Sequence, residues 1–129
     1  MVKKILFYCL LSSILCLQFS CDKDLGKGKC FYEVKYSMDY CPVTGAALVY
    51  FTEKNRDAMA IVNGNEPVVY SAALLNVPEH FRVRDKVFYI TYHPAKVDEV
   101  VYHNGICPSI FGPTKFLIVD TITETDCKK

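Results

Sequence analysis

Histidine, cysteine and tyrosine are the residue types through which this chain could do chemistry. The histidines number three, His80, His93 and His103. A neutral imidazole binds metals and moves protons near neutral pH, but a metal site on one element needs a second histidine, cysteine or carboxylate at ligand spacing. None of the three has such a neighbour. His93 and His103 fall at the ends of expected loops, so a shared metal or acid–base site would require the fold to bring them together; solvated loop positions are commoner. Asp98 and Glu99 are adjacent, and on a strand they would point to opposite faces. No G-x-S-x-G elbow, phosphate-binding loop or dinucleotide glycine pattern is present. The expectation is therefore no catalytic residue, no cofactor, no metal and no enzyme.

The cysteines are more informative. Of seven, Cys9, Cys16 and Cys21 lie in or directly after an apolar leader, whereas Cys30, Cys41, Cys107 and Cys127 lie beyond it. Lys3 and Lys4 precede a run from Ile5 to Phe19 interrupted only by Ser12, Ser13 and Gln18, the layout of a secretory signal. The run is shorter than the about 20 apolar residues that span a bilayer. After it, Asp22 to Lys29 is charged and glycine-containing, with Leu25 its one apolar residue, as in a hydrated tether. The expected organisation is residues 1–20 as a cleaved signal peptide, 21–29 as Cys21 plus tether, and 30–129 as a single β domain.

Leu17-Gln18-Phe19-Ser20-Cys21 resembles the lipobox of bacterial lipoproteins, with Ser20 in the small-residue position and Gln18 where an aliphatic residue is usual. The resemblance implies cleavage before Cys21 and lipidation of its thiol, diacylglycerol and palmitate included. Several chains are needed, because one acyl chain, at about 0.8 kcal/mol per buried CH₂, holds only reversibly. It also implies a membrane-anchored protein of the cell envelope, expected in the outer membrane of a Gram-negative bacterium. Cys16, after the larger Leu15, is a second candidate. An ordinary secretory signal with Cys21 as a thiol or disulfide partner is the alternative.

Cleavage would leave 109 of the 129 residues, room for one domain. Without Lys3 and Lys4 the fifteen basic residues fall to thirteen against fourteen acidic ones. A near-neutral chain without charge blocks argues against a nucleic-acid surface. Four cysteines in an exported domain imply two disulfides in one of three connectivities. The nested pair, Cys41 with Cys107 and Cys30 with Cys127, is preferred because it ties both ends of the chain to its body. Zinc is the rival use, and the absence of any C-x-x-C pair speaks against it.

Strand signals recur at short spacing. Phe31 to Tyr36 alternates, with Tyr32, Val34 and Tyr36 on one face; Ala46 to Thr52 is mostly apolar; Met59 to Val62 and Val68 to Ala72 flank the turn Asn63-Gly64-Asn65-Glu66-Pro67. These predict a three-strand meander. Leu74 to Phe81 breaks the alternation, and Pro78-Glu79 suits a short helical turn. Lys86 to Tyr92 is the clearest strand, with Phe88, Ile90 and Tyr92 on one face, and Lys115 to Thr123 closes the chain with Phe116, Ile118 and Ile122 on one side. Between them Pro94 to Pro113 is irregular, and a connection this long is functional or pinned, with Cys107 as the pin. Abundant Tyr and Phe and the lack of Trp fit this reading. The expected fold is mostly β: a small antiparallel barrel or sandwich of about six strands with one short helical turn and two disulfides.

Asn76-Val77-Pro78-Glu79-His80-Phe81, then Lys86 to Tyr92, then Ile106-Cys107 before the last strand resemble a group of small exported bacterial lipoproteins with OB-like barrels. The similarity runs from about Cys41 to Thr123 and implies a Cys41 to Cys107 bridge. Asp85 stands where glycine is usual in the turn, a position Asp tolerates better than most residues. The group carries no settled activity. Tyr32, Tyr36, Tyr40, Tyr50, Tyr70, Tyr89, Tyr92 and Tyr102 could form an aromatic binding face, against the plainer expectation that most fill the core and rim of a tryptophan-free barrel. The functional expectation is a membrane-anchored, non-enzymatic binding or interaction module with an unknown protein or glycan partner and no nucleic acid. A small inhibitor of a hydrolase, such as lysozyme or a protease, is the alternative, with Pro94 to Pro113 as its protruding loop.

Overall fold

Six strands form in the computed structural model, which describes residues 31–127: β1 (Tyr32–Asp39), β2 (Ala47–Phe51), β3 (Met59–Ile61), β4 (Val69–Leu75), β5 (Val87–Pro94) and β6 (Phe116–Thr123). Two 3-10 turns, Glu79–Phe81 and Val97–Glu99, interrupt the connections, where one helical turn was expected. β1 pairs with β2 and β5, β2 with β4, β4 with β6, and β6 with β5, so five strands close into a barrel; β3 is an extra strand on β4. This ring is consistent with an OB-like barrel. It corrects the all-antiparallel expectation, because Ala73–Leu75 of β4 runs parallel to Phe116–Ile118 of β6. It also corrects the meander: β2 pairs with β4, and β3 joins β4 without pairing to β2.

The interior follows from period-2 alternation in a closed sheet. Val34 and Tyr36 of β1, Ala47, Val49 and Phe51 of β2, Ala72 and Leu74 of β4, Phe88 and Ile90 of β5, and Leu117 and Val119 of β6 point inward and are buried, with Val77 and Phe81 packed against them. The β6 face read from sequence is thus reversed at its start: Leu117 and Val119 face the core, while Phe116 and Ile118 face outward onto a second cluster. Ile122 nevertheless packs on the core. The pairing with β5 shifts register between Thr91 and Tyr92, whose partners are Thr121 and Val119, so Asp120 is an extra residue in β6. A bulge of this kind changes which face the following residues take. β1 carries a comparable irregularity at Ser37, between Tyr36 and Met38.

Among the described strands, β4 carries an unbroken buried run, from Ser71 to Leu75. Ala72 and Leu74 enter the barrel core, whereas Ala73 and Leu75 enter the second cluster outside it. Two-sided burial produces a continuous apolar run, Ala72-Ala73-Leu74-Leu75, in place of alternation. That is why the strand extends to Leu75 although the sequence pattern placed its end near Ala72. Asn76 (φ 65°) and Asp85 (φ 64°) take the left-handed conformation in the following turns, a region where Asn and Asp cost less than other side chains.

Of the two disulfides expected, the described residues contain one in full, Cys41–Cys107. Cys127 is disulfide-bonded; its expected partner Cys30 lies outside the described residues, as do the signal segment, Cys21 and the tether.

One polar clamp fastens the turn after β4 to the end of β1. The Arg82 guanidinium donates to the carbonyls of Val77 (3.0 Å) and Gly45 (2.6 Å) and to the Asp39 carboxylate (2.9 Å), which also accepts from the Tyr36 hydroxyl at 3.0 Å. Burial, and then the hydrogen bond to Asp39, push the Tyr36 phenol up from 10.0 to about 12.

Leu74→Ala, at a position with 0% exposure, is expected to cost about 2–5 kcal/mol in urea unfolding; a loss below about 1 kcal/mol would contradict the core assignment. A second expectation concerns alkaline pH. Because the folded state holds the Tyr36 proton more tightly than the unfolded chain, that stabilisation is whole below pH 10 and fades as pH rises towards 12. Thermal melts should therefore show stability falling across that window, with a shallower fall in Tyr36→Phe; an unchanged slope would show that Tyr36 is not responsible.

Candidate interaction surface

The twenty-one residues between Pro94 and Phe116 form no strand of the barrel, yet they are fixed. Ala95, Val100 and Phe111 pack against the second cluster, which joins Tyr40, Val43 and Ala46 of the β1–β2 connection to Ala73 and Leu75 of β4 and to Phe116 and Ile118 of β6. The connection therefore lies as an outer layer on the β4–β6 wall. Polar contacts hold the same arrangement. The Thr44 N–H donates to the Val101 carbonyl (2.8 Å), the His103 N–H to the Pro42 carbonyl (3.0 Å), and the Tyr40 hydroxyl to the Gly112 carbonyl (3.1 Å). Val43 and Tyr102 make a short antiparallel bridge. The Tyr40 ring meets Phe111 edge-on at 5.1 Å and Phe116 at 5.8 Å.

Cys41–Cys107 closes the assembly across 66 residues, with Cα atoms 5.7 Å apart. On the chain-entropy model such a closure stabilises by about 4 kcal/mol. The His103 side chain lies close to Gly105, where an added Cβ would meet Nε2 of the imidazole. The imidazole thus sits over the bare glycine backbone, and a side chain at 105 would displace it.

With one side of the connection buried, its other side is left to water. Val97 (94% exposed), Val101 (62%), Tyr102 (64%), Ile106 (98%) and Ile110 (103%) all stand outward from it. Single exposed apolar residues are ordinary on protein surfaces, but five on one braced segment, two of them isoleucines flanking the bridged Cys107, form a concentrated apolar display.

The three histidines have separate neighbours. Nδ1 of His93 lies 2.8 Å from Asp120 Oδ1, both side chains about half exposed. His103 lies close to Gly105, and His80 stacks on Phe81 with ring centroids 4.3 Å apart. Among the described residues no three His, Cys, Asp or Glu side chains gather as a metal site. Asp98 and Glu99 fall in the second 3-10 turn, where the Glu99 carboxylate accepts the Lys96 N–H at 2.8 Å.

The tyrosines divide by position. Tyr36 and Tyr40 are buried, and Tyr70 and Tyr92 pack on the barrel core. Tyr32, Phe51 and Tyr92 form an aromatic group at the rim. There the Tyr92 hydroxyl exchanges hydrogen bonds with the buried Asn55 amide and donates to Asp57, which fixes the β2–β3 turn. Burial first, with the Asp57 charge adding to it, raises the Tyr92 pKa well above the usual phenol range. Tyr50 lines a shallow hollow of about 320 Å³ on the outer sheet face with Lys35, Ile61, Asn63 and Val69. No continuous aromatic face results.

The outer layer is the structural feature that strand patterns did not reveal. Its signal was present in Val100 and Phe111, apolar residues inside an irregular segment that also holds Cys107. Their inward packing could not be assigned without knowing that the outside of β4 is apolar. No protein-family model, curated protein or solved structure matches this chain.

Proposed function

We propose that this chain is a lipoprotein of the cell envelope, anchored through Cys21, whose OB-like barrel serves as a non-enzymatic interaction module. The observation that carries this reading is the connection from 95 to 115. It is held in place by a disulfide, hydrogen bonds from Thr44, His103 and Tyr40 among others, and an apolar underside, and it turns five large apolar side chains to solvent. Rigidity of this kind lowers the ordering cost of association, so exposed area on it converts into affinity more fully than on a mobile loop. A pairing of Cys30 with Cys127 completes the scheme and ties the tether junction to the end of the domain.

A second reading, inhibition of a hydrolase, draws on one specific feature: Ile106 is fully exposed directly beside the bridged Cys107. Inhibition of this sort is a special case of the same contact element, in which the partner's cleft is its active site.

The test uses the full-length chain in the bacterial envelope. Palmitate labelling should be lost in Cys21→Ser. After chemical cross-linking and denaturing purification, the wild-type chain should carry a protein or glycan adduct that Ile106→Ser/Ile110→Ser reduces at least tenfold. Labelling that persists in Cys21→Ser contradicts the anchor, and an adduct unaffected by the double substitution contradicts the contact element. A partner whose hydrolytic activity falls on binding selects the inhibitor reading.

A further inference from the structure

At the barrel rim, residues from β1, β5 and the β2–β3 turn meet around one hollow, lined by Tyr32, Lys54, Asn55, Arg56, Asp57 and Tyr92. Tyr32 opens β1 and pairs with Ile90 of β5, which sets its ring 5.0 Å from that of Tyr92, two residues further along β5. Phe51 meets the Tyr32 ring edge-on at 6.3 Å. Supported by both rings, Tyr32 is still 40% exposed, an aromatic platform held in place and open to solvent.

The turn that supplies the remaining lining is fixed as well. The buried Asn55 amide donates to the Tyr92 hydroxyl at 2.7 Å and accepts the Asp57 N–H at 2.8 Å. The Tyr92 hydroxyl donates to the Asp57 carboxylate at 3.1 Å, and the Lys115 ammonium donates to the Arg56 carbonyl at 3.0 Å. None of these bonds uses the Lys54 ammonium or the Arg56 guanidinium, and the Arg56 side chain is 95% exposed. The hollow, about 380 Å³, falls within the about 300–1,000 Å³ of small-molecule sites, and its shape precedes any ligand, which lowers the cost of binding.

Its charges select the ligand. Between positions 53 and 57 the carboxylates of Glu53 and Asp57 match Lys54 and Arg56 in number, so the turn offers no net charge to attract an ion. An apolar ligand would strip water from two cations and a carboxylate without replacing their hydrogen bonds. Lys54 and Arg56 only donate and the Asp57 carboxylate only accepts, whereas a hydroxyl does both. The matching molecule is uncharged, lays an apolar face on the Tyr32 ring and carries adjacent hydroxyls along its edge. A sugar ring has this combination, in its C–H face and its vicinal hydroxyls. We infer that the Tyr32 hollow is a binding site for a neutral saccharide. It shares no lining residue with the connection from 95 to 115, so it stands independently of the interaction-module reading.

The test titrates the ¹⁵N-labelled full-length chain separately with cellohexaose, maltohexaose and chitohexaose to millimolar concentration. At least one of them should move the Tyr32, Arg56, Asp57 and Tyr92 amide signals saturably and leave those of Ile106 and Ile110 in place. Tyr32→Ala and Arg56→Ala should each weaken that binding about tenfold, while Tyr32→Phe, which keeps the platform, should bind as the parent does; unmoved Val34 and Ile90 amides report an intact barrel in each variant. Absence of saturable shifts with all three hexasaccharides overturns the inference, as does an affinity unchanged in Arg56→Ala and Tyr32→Ala. Caffeine, planar and neutral but without hydroxyls, is the control ligand: if it moves the same amides at lower concentration than every hexasaccharide, the platform takes flat rings and the saccharide assignment fails.

Discussion

Cys41 and Cys107 bring together two excursions that the barrel strands alone would leave loose. The β1–β2 connection contributes Val43 and Ala46, the β5–β6 connection contributes Val100 and Phe111, and both need the same outer wall of β4 and β6 to bury them. The bridge fixes their register across 66 residues, so the second apolar cluster forms against a defined surface. The outer layer is organised around that constraint: the burial of Ala73 and Leu75, the bond from Tyr40 to Gly112, and the outward placement of Ile106 and Ile110. Packing and covalent closure reinforce each other here, because the bridge lowers the entropy of the open chain while the apolar cluster supplies the burial that makes one closed arrangement preferable.

Within the barrel the physics is more local. Alternating strands close on Val34, Val49, Leu74, Phe88, Ile90 and Leu117, all at or near zero exposure. Irregularities sit where the ring must accommodate curvature: the bulge at Asp120, the shift at Ser37, and the left-handed Asn76 and Asp85. Arg82 joins the turn after β4, the β1–β2 connection and the end of β1 by donating to Val77, Gly45 and Asp39. As an ion pair with a largely exposed carboxylate it contributes little; as a hydrogen-bonded clamp on two carbonyls it sets where the turn after β4 sits relative to the start of β2.

Much of this was legible in residue patterns. The alternation of Lys86 to Tyr92 marked β5, Asn63-Gly64 marked the β3–β4 turn, and Cys41 with Cys107 pinned the long connection as expected. The failures have definite causes. β4 looked shorter because burial on both faces erased its period. β6 appeared to bury Phe116, Ile118 and Ile122 together because a one-residue bulge is invisible in a hydropathy pattern. The parallel β4–β6 contact and the bypassing of β3 are consequences of ring closure, which no local signal encodes. The apolar display was hidden for a related reason: Val101, Ile106 and Ile110 are indistinguishable in type from core residues, and only the buried underside supplied by Ala95, Val100 and Phe111 determines that they face outward.

The central claim is that the outer layer is a separately pinned, pre-shaped element on a barrel that stands without it. Amide hydrogen exchange on the oxidised chain and on Cys41→Ala/Cys107→Ala tests this directly. The account predicts that loss of the bridge lowers protection of the Thr44 and His103 amides at least tenfold while Val34, Leu74 and Ile90 keep protection close to that of the parent. Equal loss of protection in the barrel strands, or no loss at Thr44 and His103, would contradict it.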